Sequence, residues 1–206
     1  MMNKGLLIVV SGPSGAGKGT ICRQLLNTTS EIKLSVSVTT RNPRAGEVEG
    51  ENYFFVEKNA FEELIEKNDL LEYARVYDNY YGTPRKYVMD HINQGKDVLL
   101  EIDIQGALQI KEKYPEGVFI FILPPSMQEL KRRIIHRGSE TEASLEKRFQ
   151  SAFEEINYVK KYDYCVVNDQ LDQAVERVRA IIKAEKCKVT KDIEEIILKY
   201  KEEGLC

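Results

Sequence analysis

The sequence predicts an α/β protein, a parallel sheet wrapped by helices on both faces. Three observations predict it. Short, mostly apolar runs (Leu6–Val10, Asp97–Ile102, Val118–Leu123) read as strands buried on both sides. Longer amphipathic segments alternate with them, which is the rhythm of crossover helices joining parallel strands. The first strand also passes through a glycine-rich turn straight into a helix.

That opening unit is Leu6 to Val10, then Ser11-Gly12-Pro13-Ser14-Gly15-Ala16-Gly17-Lys18-Gly19-Thr20, then a helix carrying Ile21, Cys22, Leu25 and Leu26. Strand, G-x-x-x-x-G-K and helix in this order form a phosphate-binding loop. The glycines let successive N–H groups face a phosphate, the helix N-terminus adds partial positive charge, and Lys18 adds a mobile full charge. The residue after the lysine is commonly Ser or Thr, whose hydroxyl meets Mg²⁺. Here it is Gly19, with Thr20 one place later. The ordinary alternative, a glycine turn without a ligand, is disfavoured by the flanking strand and helix.

Further along, Leu34 to Val38 alternates as a strand, and Thr39 to Glu47, broken by Pro43 and Gly46, reads as a loop. Tyr53 to Val56 is a short strand, Phe61, Leu64 and Ile65 lie at helical spacing, and Leu70 to Tyr77 is another strand. Asn79 to Gly82 reads as a turn, and Thr83-Pro84 as an N-cap with a first-turn proline. Residues 37–89 thus form a small β-rich insert. The α/β rhythm resumes with the strand at Asp97, a helix through Ala107, Leu108 and Ile110, and the strand Val118 to Leu123. Ser126-Met127-Gln128-Glu129 is a capping box opening a basic helix. After an interruption at Gly138 a helix runs from Ala143 to Lys161. A strand follows from Tyr164 to Val167, then a helix through Leu171 to Ile182, and a last amphipathic helix beyond Lys186.

The 206 residues suit one domain with inserted parts, and 42% hydrophobic with 31% charged residues is a globular balance. A net charge of −3 argues against broad binding of nucleic acid or anionic membrane, so any anion site needs local basic clusters. Four cysteines without C-x-x-C spacing and two histidines argue against structural zinc. Cys22 and Cys165, in apolar runs, read as core residues. The run at Leu6 is too short for a signal peptide and no run is long enough to span a membrane, so a reducing, cytoplasmic location is expected.

Three groupings suggest chemistry beyond the loop. Arg41 and Arg44, with Tyr53 nearby, suit a second, fixed phosphate, although a solvated basic loop fits the spacing equally well. Glu72 falls within an apolar strand, and Glu101 and Asp103 end a buried one. A carboxylate there matches the paired N1–H and N2–H₂ donors of guanine, while simple strand alternation would turn Glu72 outward. Arg133, Arg137 and Arg148 flank the break at Gly138, where arginines can neutralise a transferring phosphoryl group, or merely line a solvated helix.

Together these stretches resemble the guanylate kinase family. The resemblance is carried by Ser11 to Lys18, Ser35 to Glu47 (S-V-S-V-T-T-R-N-P-R-A-G-E), Asn79-Tyr80-Tyr81-Gly82-Thr83, Glu101-Ile102-Asp103-Ile104-Gln105-Gly106, Arg137-Gly138-Ser139-Glu140-Thr141 and Val167-Asn168-Asp169. They stand in family order from about Gly5 to Lys186, and the tail beyond lies outside the match.

The resemblance implies a nucleoside-monophosphate kinase fold with a phosphate-binding loop. Its core would be residues 1–36, 90–125 and 156–206, its mixed α/β GMP-binding insert 37–89, and its helical lid 126–155. It implies transfer of a phosphoryl group from ATP to GMP, with dGMP left open as an acceptor; nucleic acid and membrane are not expected as partners. ATP would meet Gly12, Pro13, Ser14, Gly15, Ala16, Gly17, Lys18, Gly19 and Thr20, with Arg133, Asn168 and Asp169 toward the adenine. Arg41, Arg44, Tyr53 and Tyr81 would hold the GMP phosphate; Ser37, Glu72 and Thr83 would read the base; Glu47, Glu101 and Asp103 complete the acceptor side. Catalysis would rest on Lys18, Arg41, Arg137 and Arg148. Mg²⁺ would arrive with ATP and be held by phosphates and water near Thr20 and Asp103, without a direct protein ligand. The rival readings are another monophosphate kinase, which the Gly19-Thr20 ending suits, and a non-catalytic protein-binding domain of the same fold. The oligomeric state is open.

Overall fold

The computed structural model describes residues 4–76, 78–136, 142–189 and 193–204. In chain order the elements are β1 (Leu7–Ser11), α1 (Lys18–Asn27), β2 (Ile32–Leu34), β3 (Val38–Thr39), β4 (Phe54–Phe55), α2 (Lys58–Glu66), β5 (Leu70–Val76), β6 (Asn79–Pro84) and α3 (Arg85–Asn93). Then follow β7 (Asp97–Glu101), α4 (Ile104–Lys113), β8 (Val118–Leu123), α5 (Met127–His136), α6 (Glu142–Glu155), a 3-10 stretch (Ile156–Lys161), β9 (Tyr164–Val167), α7 (Leu171–Glu185) and α8 (Ile193–Glu203).

Five strands make a parallel sheet in the order β2-β7-β1-β8-β9. β1 lies at its centre, with Ile8 opposite Leu99 on one side and Val118 on the other. Its apolar run serves two cores, because successive strand residues point to opposite faces. Ile8 and Val10 pack with Ile21, Cys22 and Leu25 of α1 and Val175, Val178 and Ile182 of α7. Leu7 and Val9 pack with Val88 and Ile92 of α3 and Ala107 and Ile110 of α4. Each Ile, Leu or Val among them contributes about 1.5–3 kcal/mol when fully buried, and together they fix where β1 ends and the glycine loop begins.

A second sheet, in the order β4-β3-β6-β5, stands over the carboxyl ends of the first. β3 and β4 are parallel, and β6 is antiparallel to both β3 and β5. Its own core joins Val38, Phe61 and Leu70, with the Tyr80 ring stacked 5.4 Å from that of Phe61. Leu71 of β5 instead enters the core beneath the parallel sheet, which ties the two sheets together.

Several local expectations are corrected. Leu34 to Val38 is not one strand. β2 ends at Leu34, the Ser35 N–H still donates to Leu99 O at 2.9 Å, and Val38 pairs with Gly82 in the other sheet. Alternation alone does not say which sheet supplies the hydrogen bonds. Asn79 to Gly82 is not a turn but the start of β6, paired with β5 from Val76↔Asn79 to Tyr73↔Gly82. Thr83 does not cap α3: its hydroxyl is given to Glu72, and Pro84 occupies the cap position in extended conformation. The helix expected to reach Lys161 ends at Glu155 and tightens into the 3-10 stretch. Cys165 is exposed rather than core, because β9 is the edge strand, whereas Cys22 is buried as expected. Among the described residues no helix is long and apolar enough to cross a membrane.

Candidate active site

The donor end is built where β1 meets α1. Gly17 caps α1 with φ +94°, a left-handed conformation that side chains disfavour, and a methyl group there would overlap the Asn168 amide nitrogen. Asn168, only 6% exposed at the end of β9, spends that amide on Ala16 O at 2.8 Å. The Arg133 guanidinium reaches Asn168 O at 3.1 Å and Ala16 O at 3.4 Å, and its Nε is paired with Glu129 at 2.8 Å. These two residues, expected toward the adenine, both donate to the loop through Ala16 O. Lys18 Nζ donates to Gly12 O at 2.6 Å and Pro13 O at 3.2 Å. Asp169 lies on the surface, paired with Arg177 at 3.0 Å.

The acceptor end begins in the loop after β3. Arg41 donates from Nε to the Tyr81 hydroxyl (3.2 Å) and is paired with Glu47 Oε1 (2.9 Å), and its guanidinium lies 5.4 Å from the Tyr53 ring centroid. The second oxygen of Glu47 accepts the Arg44 backbone N–H at 2.7 Å. Glu47 therefore holds both arginines in register, and it does not line the cleft. The Arg41 guanidinium holds the Glu47 carboxyl below the usual range.

Glu72 is only 3% exposed and accepts the Thr83 hydroxyl at 2.7 Å. Along β5 Glu72 shares its face with buried Ala74, while Tyr73 and Arg75 face out, so alternation here points Glu72 inward rather than outward. The β5–β6 register shifts between Leu70 and Tyr73, and there Leu71 departs from the alternation: it is buried in the core while Glu72 faces the cleft. Burial pushes the Glu72 carboxyl up to about 7; the Thr83 hydroxyl opposes this and the nearby Asp103 adds to it. Thr83, expected to read a base, is fully buried behind Glu72 and orients it.

One cleft of about 400 Å³ joins the two ends. The loop lines it with Gly12, Ser14, Gly15, Gly17, Lys18 and Gly19, and the second sheet with Ser37, Arg41, Arg44, Tyr53, Glu72 and Tyr81. Glu101 and Asp103, at the end of β7, lie between them. Asp103 also caps α4 by accepting the Gly106 N–H at 2.9 Å. Pro13, Ala16 and Thr20 are outside the lining, the first two buried and Thr20 exposed. Arg137 lies outside the described residues, as does the side chain of Arg148.

The sequence reading missed Glu155, which closes α6 and lines the same cleft. Burial raises its carboxyl, while Lys18 and the Ser14 N–H pull it down. It lies among several like residues at a helix end, and no spacing singled it out.

Among the described residues no group of three or more His, Cys, Asp or Glu side chains stands ready to hold a metal. Glu101 and Asp103 nevertheless supply hard oxygen donors in the cleft, the type that suits a largely hydrated Mg²⁺ brought by a nucleotide.

A family model described as guanylate kinase matches residues 4–185. The chain belongs to the guanylate kinase family. It is 59% identical over 202 residues to a guanylate kinase of Caldanaerobacter subterraneus, covering 98% of each chain. It is 61% identical over 197 residues to one of Clostridium tetani, covering 96% of this chain and 94% of that one. The crystal structure of a guanylate kinase from Anaplasma phagocytophilum is 38% identical, with a TM-score of 0.78 over 91% of this chain and 89% of that one. Membership of the guanylate kinase family favours the catalytic reading over both rivals, and the fold is that of a phosphate-loop monophosphate kinase.

Proposed function

We propose that the two ends of this cleft are the donor and acceptor halves of one phosphoryl-transfer site. The reaction is that of the guanylate kinase family: the γ-phosphoryl group of ATP passes to GMP, giving ADP and GDP, reversibly and by direct in-line attack. The observation that carries the reading is the single cleft shared by Lys18 and the glycine loop on one side and by Arg41, Arg44 and Glu72 on the other.

The chemistry asks for two anions held close together in a chain whose net charge is −3. The loop amides and Lys18 bind the ATP phosphates. Lys18 now leans on the Gly12 and Pro13 carbonyls, and its flexible stem lets Nζ follow the phosphates instead. Arg41 and Arg44, held by Glu47, with the Tyr53 and Tyr81 hydroxyls, grip the GMP phosphate. The ionised Glu72 accepts from N1–H and N2–H₂ of guanine, with Ser37 beside it. Asp103 and Glu101 would hold the waters of Mg²⁺, which when bound neutralises phosphate charge. Residues 37–89 act as the acceptor insert and 126–155 as the lid, from which Arg137 and Arg148 add positive charge and help exclude water. Free thiols at Cys22, Cys165 and Cys187 suit a reducing cytoplasm.

Equilibrium binding of each nucleotide to two variants tests the division. Lys18→Ala should lose ATP affinity and keep GMP affinity, and Arg44→Ala the reverse. Equal losses of both nucleotides in both variants would contradict two separate halves.

A further inference from the structure

Glu72 occupies its place because α4 has no side chain in its first turn. Gly106 is buried there, and a methyl group on it would meet Glu72 Oε2 well inside van der Waals contact and Cδ at 2.8 Å. Such a clash is readily relieved when the opposing side chain is free to swing. Glu72 is not free: it is nearly fully buried, and Oε1 is bound by the Thr83 hydroxyl at 2.7 Å. Its remaining direction is into the cleft. The same glycine donates its backbone N–H to Asp103 Oδ1 at 2.9 Å. One residue without a side chain thus touches both the carboxylate facing the acceptor base and the carboxylate between the two halves of the cleft. Glu72 also stands by the N-terminus of α4, where helix amides favour negative charge.

We propose that Gly106 is a specificity-determining positioning residue, which lets the Glu72 carboxylate dock against the first turn of α4 so that both its oxygens meet the paired donors of guanine. The proposal rests on the reading of Glu72 as the base-recognising group. Its physical basis is geometric. Two donors on a rigid ring require two acceptors in one plane at one spacing, and a displacement of about 1 Å in such a site costs on the order of 100-fold. Gly106 touches no substrate and acts through Glu72.

The test is a two-residue cycle in the full chain, with Gly106→Ala, Glu72→Ala and the double variant. The readouts are kcat/KM for GMP and for IMP (which lacks the exocyclic amine), KM for ATP, and thermal melting. Gly106→Ala is expected to lower kcat/KM for GMP by roughly 10- to 100-fold and that for IMP less, so the preference for GMP shrinks while KM for ATP holds. In the Glu72→Ala background the same methyl should not change the preference and should no longer lower the melting temperature, because the atoms it displaces are gone. If Glu72→Ala leaves the GMP-over-IMP preference intact, the reading of Glu72 itself fails. If Glu72→Ala abolishes the preference and Gly106→Ala does not shrink it, the role of Gly106 is overturned while that reading stands. A loss from Gly106→Ala that affects GMP, IMP and ATP alike, or persists undiminished without Glu72, marks a merely structural glycine and overturns the proposal. Should Gly106→Ala alone be too unstable to assay, the melting cycle decides. Stability restored by Glu72→Ala supports the contact, and stability not restored overturns it.

Discussion

The Thr83 hydroxyl and the Glu72 carboxylate lie 2.7 Å apart in a buried corner of the cleft, on neighbouring strands of the second sheet. The bond orients an acid whose carboxyl burial has raised from the usual 4.5 to about 7. Two opposite pH dependences result. The folded chain keeps a proton that the unfolded chain releases above 4.5. The stability contributed by this group is therefore full below that value, is lost as pH rises through about 7, and is level above. Guanine needs the ionised form, so kcat/KM for GMP should rise across that same upper range. Glu72→Gln, which offers one acceptor and one donor, should flatten both profiles. It should also lower kcat/KM for GMP by about 10- to 100-fold, as removal of charged hydrogen bonds does, with little effect on KM for ATP. Paired pH profiles of melting and of GMP kinetics check this.

Lys18 carries the only full positive charge in the glycine loop. Lys18→Ala should reduce kcat by roughly 100-fold or more. Single-turnover measurements at saturating GMP and ATP read the chemical step directly.

Glu47 makes no contact with the cleft, yet it positions Arg41 through one oxygen and the Arg44 backbone through the other. Glu47→Ala should raise KM for GMP about tenfold, the scale of one charge-assisted pair, and leave KM for ATP unchanged. Binding of guanosine, which lacks the phosphate, should be unaffected, and calorimetric titration of GMP and guanosine separates the two.

Asn168 supports the loop through Ala16 O. Asn168→Ala removes the shorter of two bonds to that carbonyl, leaving the one from Arg133, and should weaken ATP binding several-fold with a stability loss of about 0.5–1.5 kcal/mol. Gly17→Ala should be worse, because it combines a positive φ with overlap on the same amide. Urea denaturation with and without ATP checks both.

Much of this was legible in the sequence because its signals are local. The run Leu7 to Val10 had to be buried on both faces, and the loop that follows had to be glycine-rich to expose its amides. What was not legible depends on contacts distant in sequence. Which face of β5 is the inner one is set by packing against the rest of the fold, so alternation alone could not say that Glu72 faces inward with Ala74. Thr83 carries the residue type of a helix cap, but a carboxylate eleven residues away takes its hydroxyl. Asn168 and Arg133 stand in the motif as ligand contacts, and the fold adds hydrogen bonds from both to the loop carbonyl of Ala16 that no local pattern announces. Cys165 reads as core until its strand proves to be an edge.

The most direct measurement is a panel of monophosphate acceptors under saturating ATP, with ADP release followed for GMP, AMP, UMP and CMP. A single cleft that pairs an ionised Glu72 with the donors of guanine predicts kcat/KM for GMP at least 100-fold above the others, the scale of a buried carboxylate left unpaired by the wrong base (on the order of 3 kcal/mol). Comparable values for AMP or UMP would contradict it.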